Sequence, residues 1–179
     1  STGTFYVHVK DVAGNTTYKA VTINALDPPT CSIELNGTVG TNSWYTSNVA
    51  VTLNTSGSVV TKGLATTQNP TNGTTTVTHS SDTKGVTYYG YVSNAAGSNT
   101  CAATFKRDAT APSCKLVLDP ASPNGNNSWY KGNVAIKFSS KSDATSGIAA
   151  YGISTSTTAT YNSSASVTHS SNTNGVTYY

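Results

Sequence analysis

The sequence predicts an all-β protein made of antiparallel β-sandwiches set in tandem, and three observations carry that expectation. Polarity comes from Ser and Thr, about a third of all positions, while charged residues make up only 9% of the chain. Thr, Val and Tyr fit a pleated, half-buried surface, and Asn and Gly accept positive φ in tight turns. Apolar residues also alternate with period two, which marks a strand with one buried face. Finally, the chain repeats itself.

The repeat sets the organisation. Ala13-Gly14 returns as Ala96-Gly97 and Cys31 as Cys114, and both 97 minus 14 and 114 minus 31 give 83. T-F-Y-V-H-V-K-D-V-A-G-N (4 to 15) aligns without a gap on T-Y-Y-G-Y-V-S-N-A-A-G-S (87 to 98). N-S-W-Y-T-S-N-V-A-V (42 to 51) returns at 127 to 136, and V-T-H-S-S-D-T (77 to 83) returns as V-T-H-S-S-N-T (167 to 173), at offsets of 85 and 90. The drift places insertions in loops, chiefly S-S-K-S-D-A-T-S-G (139 to 147) against N-T-S-G-S (54 to 58). Three segments follow: the end of one repeat (1–27), a whole repeat (28–110) and most of a third (111–179). Each full unit falls within the usual size of an independent domain. D-P-P (27 to 29) and D-A-T-A-P (108 to 112) join them as proline-stiffened linkers.

Within the whole repeat, Val49, Val51 and Leu53 alternate with Ala50, Thr52 and Asn54, and Val134, Ile136 and Phe138 keep the same parity in the next. Phe5, Val7 and Val9 form a second such strand; by alignment Tyr88 and Val92 point inward, and Tyr89 and Tyr91 outward. Segments near 31–36, 59–65, 73–79 and 99–106 bring the expectation to about seven strands, with Asn-Gly at 36 and 72 and A-A-G-S at 95 to 98 as turns. Seven short strands in about 83 residues predict an antiparallel sandwich. The last strand carries a conflict: Val21 and Ile23 have one parity, Cys101, Ala103 and Phe105 the other, and a bulge would reconcile them.

Net charge is +3 with the basic residues scattered, only Lys106 and Arg107 being adjacent. Nucleic-acid binding needs a concentrated basic face, so this distribution argues against it. No apolar run approaches the ~20 residues of a membrane-crossing helix. The absence of Met places the natural start codon outside the chain.

N-S-W-Y-T-S-N-V-A-V-T-L, S-G-I-A-A-Y-G-I-S and G-V-T-Y-Y-G-Y-V-S-N-A-A-G-S, followed by T-A-P, resemble the tandem immunoglobulin-like repeats of bacterial, especially Gram-positive, surface proteins. The resemblance spans essentially the whole chain. It implies immunoglobulin-like sandwiches that serve as stalks, fibres or spacers holding an adhesin or enzyme away from the cell wall, at an extracellular, cell-surface location. The pattern departs where A-A-G-S replaces D-x-A-G-N, although Asp11 to Asn15 keeps that form. In an immunoglobulin-like topology the start of the first strand and the turn before the last share a pole, so a disulfide between Cys31 and Cys101 is expected, as oxidised secreted domains favour. Closing that loop would stabilise by roughly 4 kcal/mol; two buried free thiols are the alternative. Cys114 repeats Cys31, and its partner is expected about a dozen residues past Tyr179 by the repeat register.

Nothing catalytic repeats. His79 and His169 share one repeat position inside V-T-H-S-S without companion ligands, which favours a surface or turn-capping role over a metal site. Of the seven acids no pair recurs, and Asp82 becomes Asn172, against the two facing carboxylates of a glycosidase. No nucleophile elbow, zinc-protease motif or phosphate-cradling loop occurs. An isopeptide cross-link would need a buried acid beside Lys and Asn, and the single Glu, Glu34, aligns with Val117. No cofactor and no metal is expected. Ligand contact, if any, falls to aromatic residues: Trp44 with Tyr45, Trp129 with Tyr130, and outward Tyr89 and Tyr91. Each joins an apolar body to a polar tip able to stack on sugar rings, while the tryptophans more readily cover the open end of a sandwich.

The expected function is therefore a non-enzymatic extracellular structural module whose partners are neighbouring repeats of a longer chain. Two alternatives stand beside it: a carbohydrate- or surface-binding module that contacts glycans or host proteins through those aromatics, and a phage tail or capsid accessory domain. The two ends of the chain offer strand edges, and isolated edges invite pairing. A longer tandem chain is the favoured reading; head-to-tail self-association, with residues 1–25 of one copy completing the third unit of the next, is the other. Residues 1–6 and 174–179 occupy the same repeat positions and compete for one place.

Overall fold

In the computed structural model, which describes residues 2–158 and 160–179, the chain is all-β and divides into two compact units between Arg107 and Asp108.

The first unit opens with a hairpin, β1 (Thr2–Lys10) and β2 (Thr16–Asn24), paired antiparallel as a two-stranded sheet. Its turn is locked by Asp11, whose carboxylate accepts from the Asn15 backbone and side-chain amides, each at 2.8 Å, with Gly14 at φ +96°. Two further sheets follow. One orders β3 (Thr30–Asn36), β5 (Val49–Ser56) and β7 (Thr76–His79) antiparallel. The other orders β4 (Trp44–Tyr45), β9 (Gly97–Arg107), β8 (Thr83–Asn94) and β6 (Thr61–Ala65).

Alternation does what the pattern requires. Val49, Val51 and Leu53 of β5 are buried and pack with Leu64 of β6, Tyr88 and Val92 of β8 and Phe105 of β9, so one core joins the two sheets. Cys31, Ile33 and Leu35 of β3 lean on it from one side. Tyr89 and Tyr91 take the opposite face of β8 and remain half-buried. One pairing departs from the antiparallel expectation: Trp44 and Tyr45 run parallel to Lys106 and Arg107. They leave a tight turn in which Asn42 and Ser43 have φ +51° and +60°, a left-handed conformation that Asn adopts more readily than most residues.

The parity conflict in the last strand is settled by hairpin register. Lys10 pairs with Thr16 and encloses five residues, whereas its counterpart Ser93 pairs with Ser98 and encloses four. Removing one turn residue shifts every later position by one, and a one-residue shift exchanges the faces of a strand. A shorter turn, not a bulge in the strand, accounts for the difference. Matched by cross-strand partner, Ile23 opposite Gly3 corresponds to Phe105 opposite Val86, Val21 opposite Phe5 to Ala103 opposite Tyr88, and Lys19 opposite Val7 to Cys101 opposite Gly90.

The second unit holds one antiparallel sheet, ordered β10 (Ser113–Asp119), β11 (Val134–Ser142) and β12 (Ser166–His169). Ile136 and Ile153 are its buried apolar residues, with Val134 and Phe138 half-buried beside Ile136 along β11. Asn127 and Ser128 repeat the left-handed turn before Trp129, at φ +53° and +62°.

Candidate functional site

The feature that ties the whole repeat together is covalent. Cys31 on β3 and Cys101 on β9 form a disulfide across a separation of 70 residues, with Cα atoms 5.9 Å apart. Alternation turns Cys31 toward the core together with Ile33 and Leu35. Cys101 stands opposite Gly90, where a Cβ would lie 2.6 Å from the Cys101 sulfur and collide with Leu53, so the missing side chain makes the room. Cys114 is exposed and free.

The segment entering the repeat is held by asparagines that the sequence reading did not single out. Asn94 Nδ2 donates to the Asp27 carbonyl at 2.8 Å and to the Ser58 carbonyl at 2.9 Å, while its Oδ1 accepts from the Ala96 and Gly97 amides. Asn99 Nδ2 donates to the Pro29 carbonyl at 2.8 Å, and Pro29 is fully buried. Asn94 stands where Asp11 stands in the first hairpin. A carboxylate can close such a turn but cannot donate, so the departure from the D-x-A-G-N form gives the turn a second role as a clamp on the D-P-P segment. That substitution was the available signal. In the second unit Asp108 does similar work by accepting from the Thr110 amide at 3.1 Å and the Ser146 amide at 2.9 Å.

A buried ion pair was also missed. Arg107 donates from Nη1 to Asp82 at 2.6 Å, from Nη2 to Asn48 Oδ1 at 2.9 Å and from Nε to the Ser47 carbonyl at 2.9 Å. This planar fork holds the end of β9 against the loop before β5, a geometry suited to guanidinium and not to ammonium. Asp82 and Arg107 stand 25 residues apart in the sequence, and no local pattern joins them.

The histidine expectation is corrected. His79 is neither a surface nor a turn-capping residue: it is half-buried, edge-on to Phe105 and Tyr88, with Nδ1 3.2 Å from the Tyr88 hydroxyl. His169 repeats the arrangement with Tyr178 at 3.0 Å. Both Nε2 atoms are buried without a hydrogen-bond partner. Glu34 lies on an exposed face, where it accepts from Asn54 Nδ2 at 3.2 Å.

The aromatic candidates do not converge. Tyr45 is half-buried, edge-on to Phe105 at 5.7 Å, and so belongs to the core. Trp44 is half-buried beneath the Lys106 ammonium, 4.8 Å from its ring centre, a cation–π contact. Tyr91 lines an open depression of about 530 Å³ with Asn69, Thr71, Ser98, Asn99 and Thr100, and Tyr89 lies outside that lining. Trp129, half exposed, and Tyr130 line a cavity of about 720 Å³ in the second unit.

Two carboxylates, exposed Asp11 and half-buried Asp143, are held below the ordinary Asp range by hydrogen bonds that favour the charged form: Asp11 mainly by the Asn15 side chain, and Asp143 mainly by the Gly147 amide. Among the described residues no group of three His, Cys, Asp or Glu is placed to hold a metal ion. No protein-family model matches the chain, and neither a curated protein nor a solved structure matches it.

Proposed function

We propose that the chain is a non-enzymatic extracellular structural element, a run of tandem immunoglobulin-like sandwiches that acts as a stalk, fibre or spacer of a surface protein. The observation that carries this reading is where the disulfide lies: it joins the first strand of the whole repeat, β3, to the last, β9. Tension applied along the chain passes from Cys31 to Cys101 through the bridge and bypasses the strands between. Asn94 and Asn99 clamp the entering D-P-P segment to the same hairpin, so that segment is a fixed connection and not a loose tether. A covalent bridge of this kind also suits an oxidising exterior. Such a device resists extension, which is what a spacer must do and a catalyst need not.

Single-molecule force spectroscopy tests the reading. At ~3.5 Å per extended residue, the 70-residue separation hides about 240 Å of chain. The oxidised protein should lack that increment, and reduction should restore it as one discrete step. A chain that lengthens smoothly without force steps in both redox states would overturn the spacer reading.

A further inference from the structure

The Asn-Gly pair at 72 does more than turn the chain. β6 is an edge of the four-stranded sheet and pairs with β8 on one side only. On its other side the loop that follows β6 returns, and Asn72 lays its side-chain amide against the strand. Nδ2 donates to the Leu64 carbonyl at 3.2 Å, and Oδ1 accepts from the Leu64 amide at 3.3 Å. Gly73, at φ +75°, donates from its backbone to the Lys62 carbonyl at 3.0 Å. Asn72 thus exchanges with Leu64 the donor and acceptor that a residue of an adjoining antiparallel strand would exchange. Gly63 lets the loop come this close: a Cβ there would collide with the Pro70 carbonyl and lie 2.9 Å from Asn72 Oδ1. The second unit builds the same arrangement from different neighbours, with Y-G-I (151 to 153) for K-G-L (62 to 64) and T-Y-N-S-S (160 to 164) for P-T-N-G-T (70 to 74). Asn162 Nδ2 donates to the Ile153 carbonyl at 3.3 Å, and the Ser163 amide to the Tyr151 carbonyl at 3.0 Å, with Ser163 at φ +57°. A Cβ on Gly152 would collide with the Thr160 carbonyl and lie 2.8 Å from Asn162 Oδ1.

We propose that Asn72 guards this edge: it fills the hydrogen-bonding positions of β6 and so denies them to the β6 strand of a second copy. An open edge is a row of unpaired donors and acceptors that templates pairing with another chain, and charged side chains are a common means of blunting it. With charged residues at only 9% of the chain, that means is scarce here, and a neutral amide on a returning loop takes its place. The occupant kept out is defined by symmetry. Two β6 edges are identical, so they pair antiparallel about a two-fold axis, each offering the other the Leu64 amide and carbonyl. The glycine before Leu64 and the left-handed residue after Asn72 then have one purpose between them, to seat the amide flat against the strand. The recurrence of glycine, asparagine and left-handed turn in the second unit, with the residues around them changed, supports a role for the amide itself.

Two variants of the 179-residue chain test this. Asn72→Ala removes both contacts with Leu64. Asn72→Asp is milder: it keeps an acceptor for the Leu64 and Thr74 amides but sets a carboxylate, which cannot donate, against the Leu64 carbonyl. In sedimentation velocity each variant should self-associate at a concentration at least tenfold lower than the parent chain. In native-state hydrogen exchange the Leu64 amide of each should exchange at least tenfold faster when dilute and slow again as concentration rises, because a second β6 then covers it. Asn54→Ala, which removes an exposed asparagine that bonds only Glu34, should match the parent in both measurements. Protection of the β8 amides reports that the sandwich is still folded, and Asn72→Asp is decisive where Asn72→Ala loses that protection. Fast Leu64 exchange that is independent of concentration, in a variant whose mass equals the parent's, would make Asn72 a tie for its own loop and overturn the proposal. Association raised equally by Asn54→Ala, or loss of β8 protection in both Asn72 variants, would overturn it as well.

Discussion

His79 Nδ1 lies 3.2 Å from the Tyr88 hydroxyl, joining the end of β7 in one sheet to the centre of β8 in the other. The same pair recurs as His169 and Tyr178 at 3.0 Å. Because His79 Nε2 is buried without a partner, this single hydrogen bond is all that compensates the desolvation of the ring nitrogens.

Tyr88→Phe should therefore destabilise the whole repeat by about 1–2 kcal/mol, the usual cost of leaving a buried polar group unpaired. His79→Phe in that background should recover part of the loss, since replacing both partners by apolar groups of like shape is nearly neutral. Native-state hydrogen exchange at the β8 amides measures both. Strictly additive losses would show that the two side chains do not interact.

The Arg107–Asp82 pair has side chains only 8% and 20% exposed. Asp82→Asn, the residue found at the equivalent position 172, should cost about 3 kcal/mol, because it leaves a buried guanidinium without its counter-charge. Arg107→Lys should be nearly as damaging, since a point charge cannot reach Asp82, Asn48 and Ser47 together. Urea titration resolves the effect; losses within 0.5 kcal/mol would place the pair with surface ion pairs that contribute ~0–1 kcal/mol.

Asp143 organises the longer loop of the second unit by accepting from the Thr145, Ser146 and Gly147 amides at 3.0, 2.8 and 2.8 Å. Its carboxyl is held below the ordinary value of 3.8, chiefly by the Gly147 amide. A lowered value means that the charged form favours the folded loop. The contribution is complete above the ordinary value and lost as pH falls through the lowered one. Protection of the Gly147 amide should follow that titration, and Asp143→Ala should abolish the protection at neutral pH. A Gly147 amide that remains protected in the variant would refute this.

Much of the fold was legible because its causes are local. Period-two alternation along Val49, Val51 and Leu53 depends only on the pleat of a strand, and that face is the core. The same alternation put Tyr88 and Val92 inside and Tyr89 and Tyr91 on the opposite face. The Cys31–Cys101 pairing was expected from the resemblance to an immunoglobulin-like topology, and the bridge forms between those two residues.

What the sequence by itself determined was thus which residues of β5 and β8 face inward and where the chain turns; the half-buried face expected for Phe5, Val7 and Val9 is exposed. The tertiary structure alone decided the partners that lie far apart along the chain: Arg107 with Asp82, Asn94 with the Asp27 carbonyl 67 residues away, and His79 under Phe105. Those contacts depend on strand order and on the exact count of turn residues. Five residues between Lys10 and Thr16 against four between Ser93 and Ser98 turn Lys19 and Cys101 into equivalent positions that no gap-free alignment would match. A side chain's face is set by its own strand, but its neighbour is set by another.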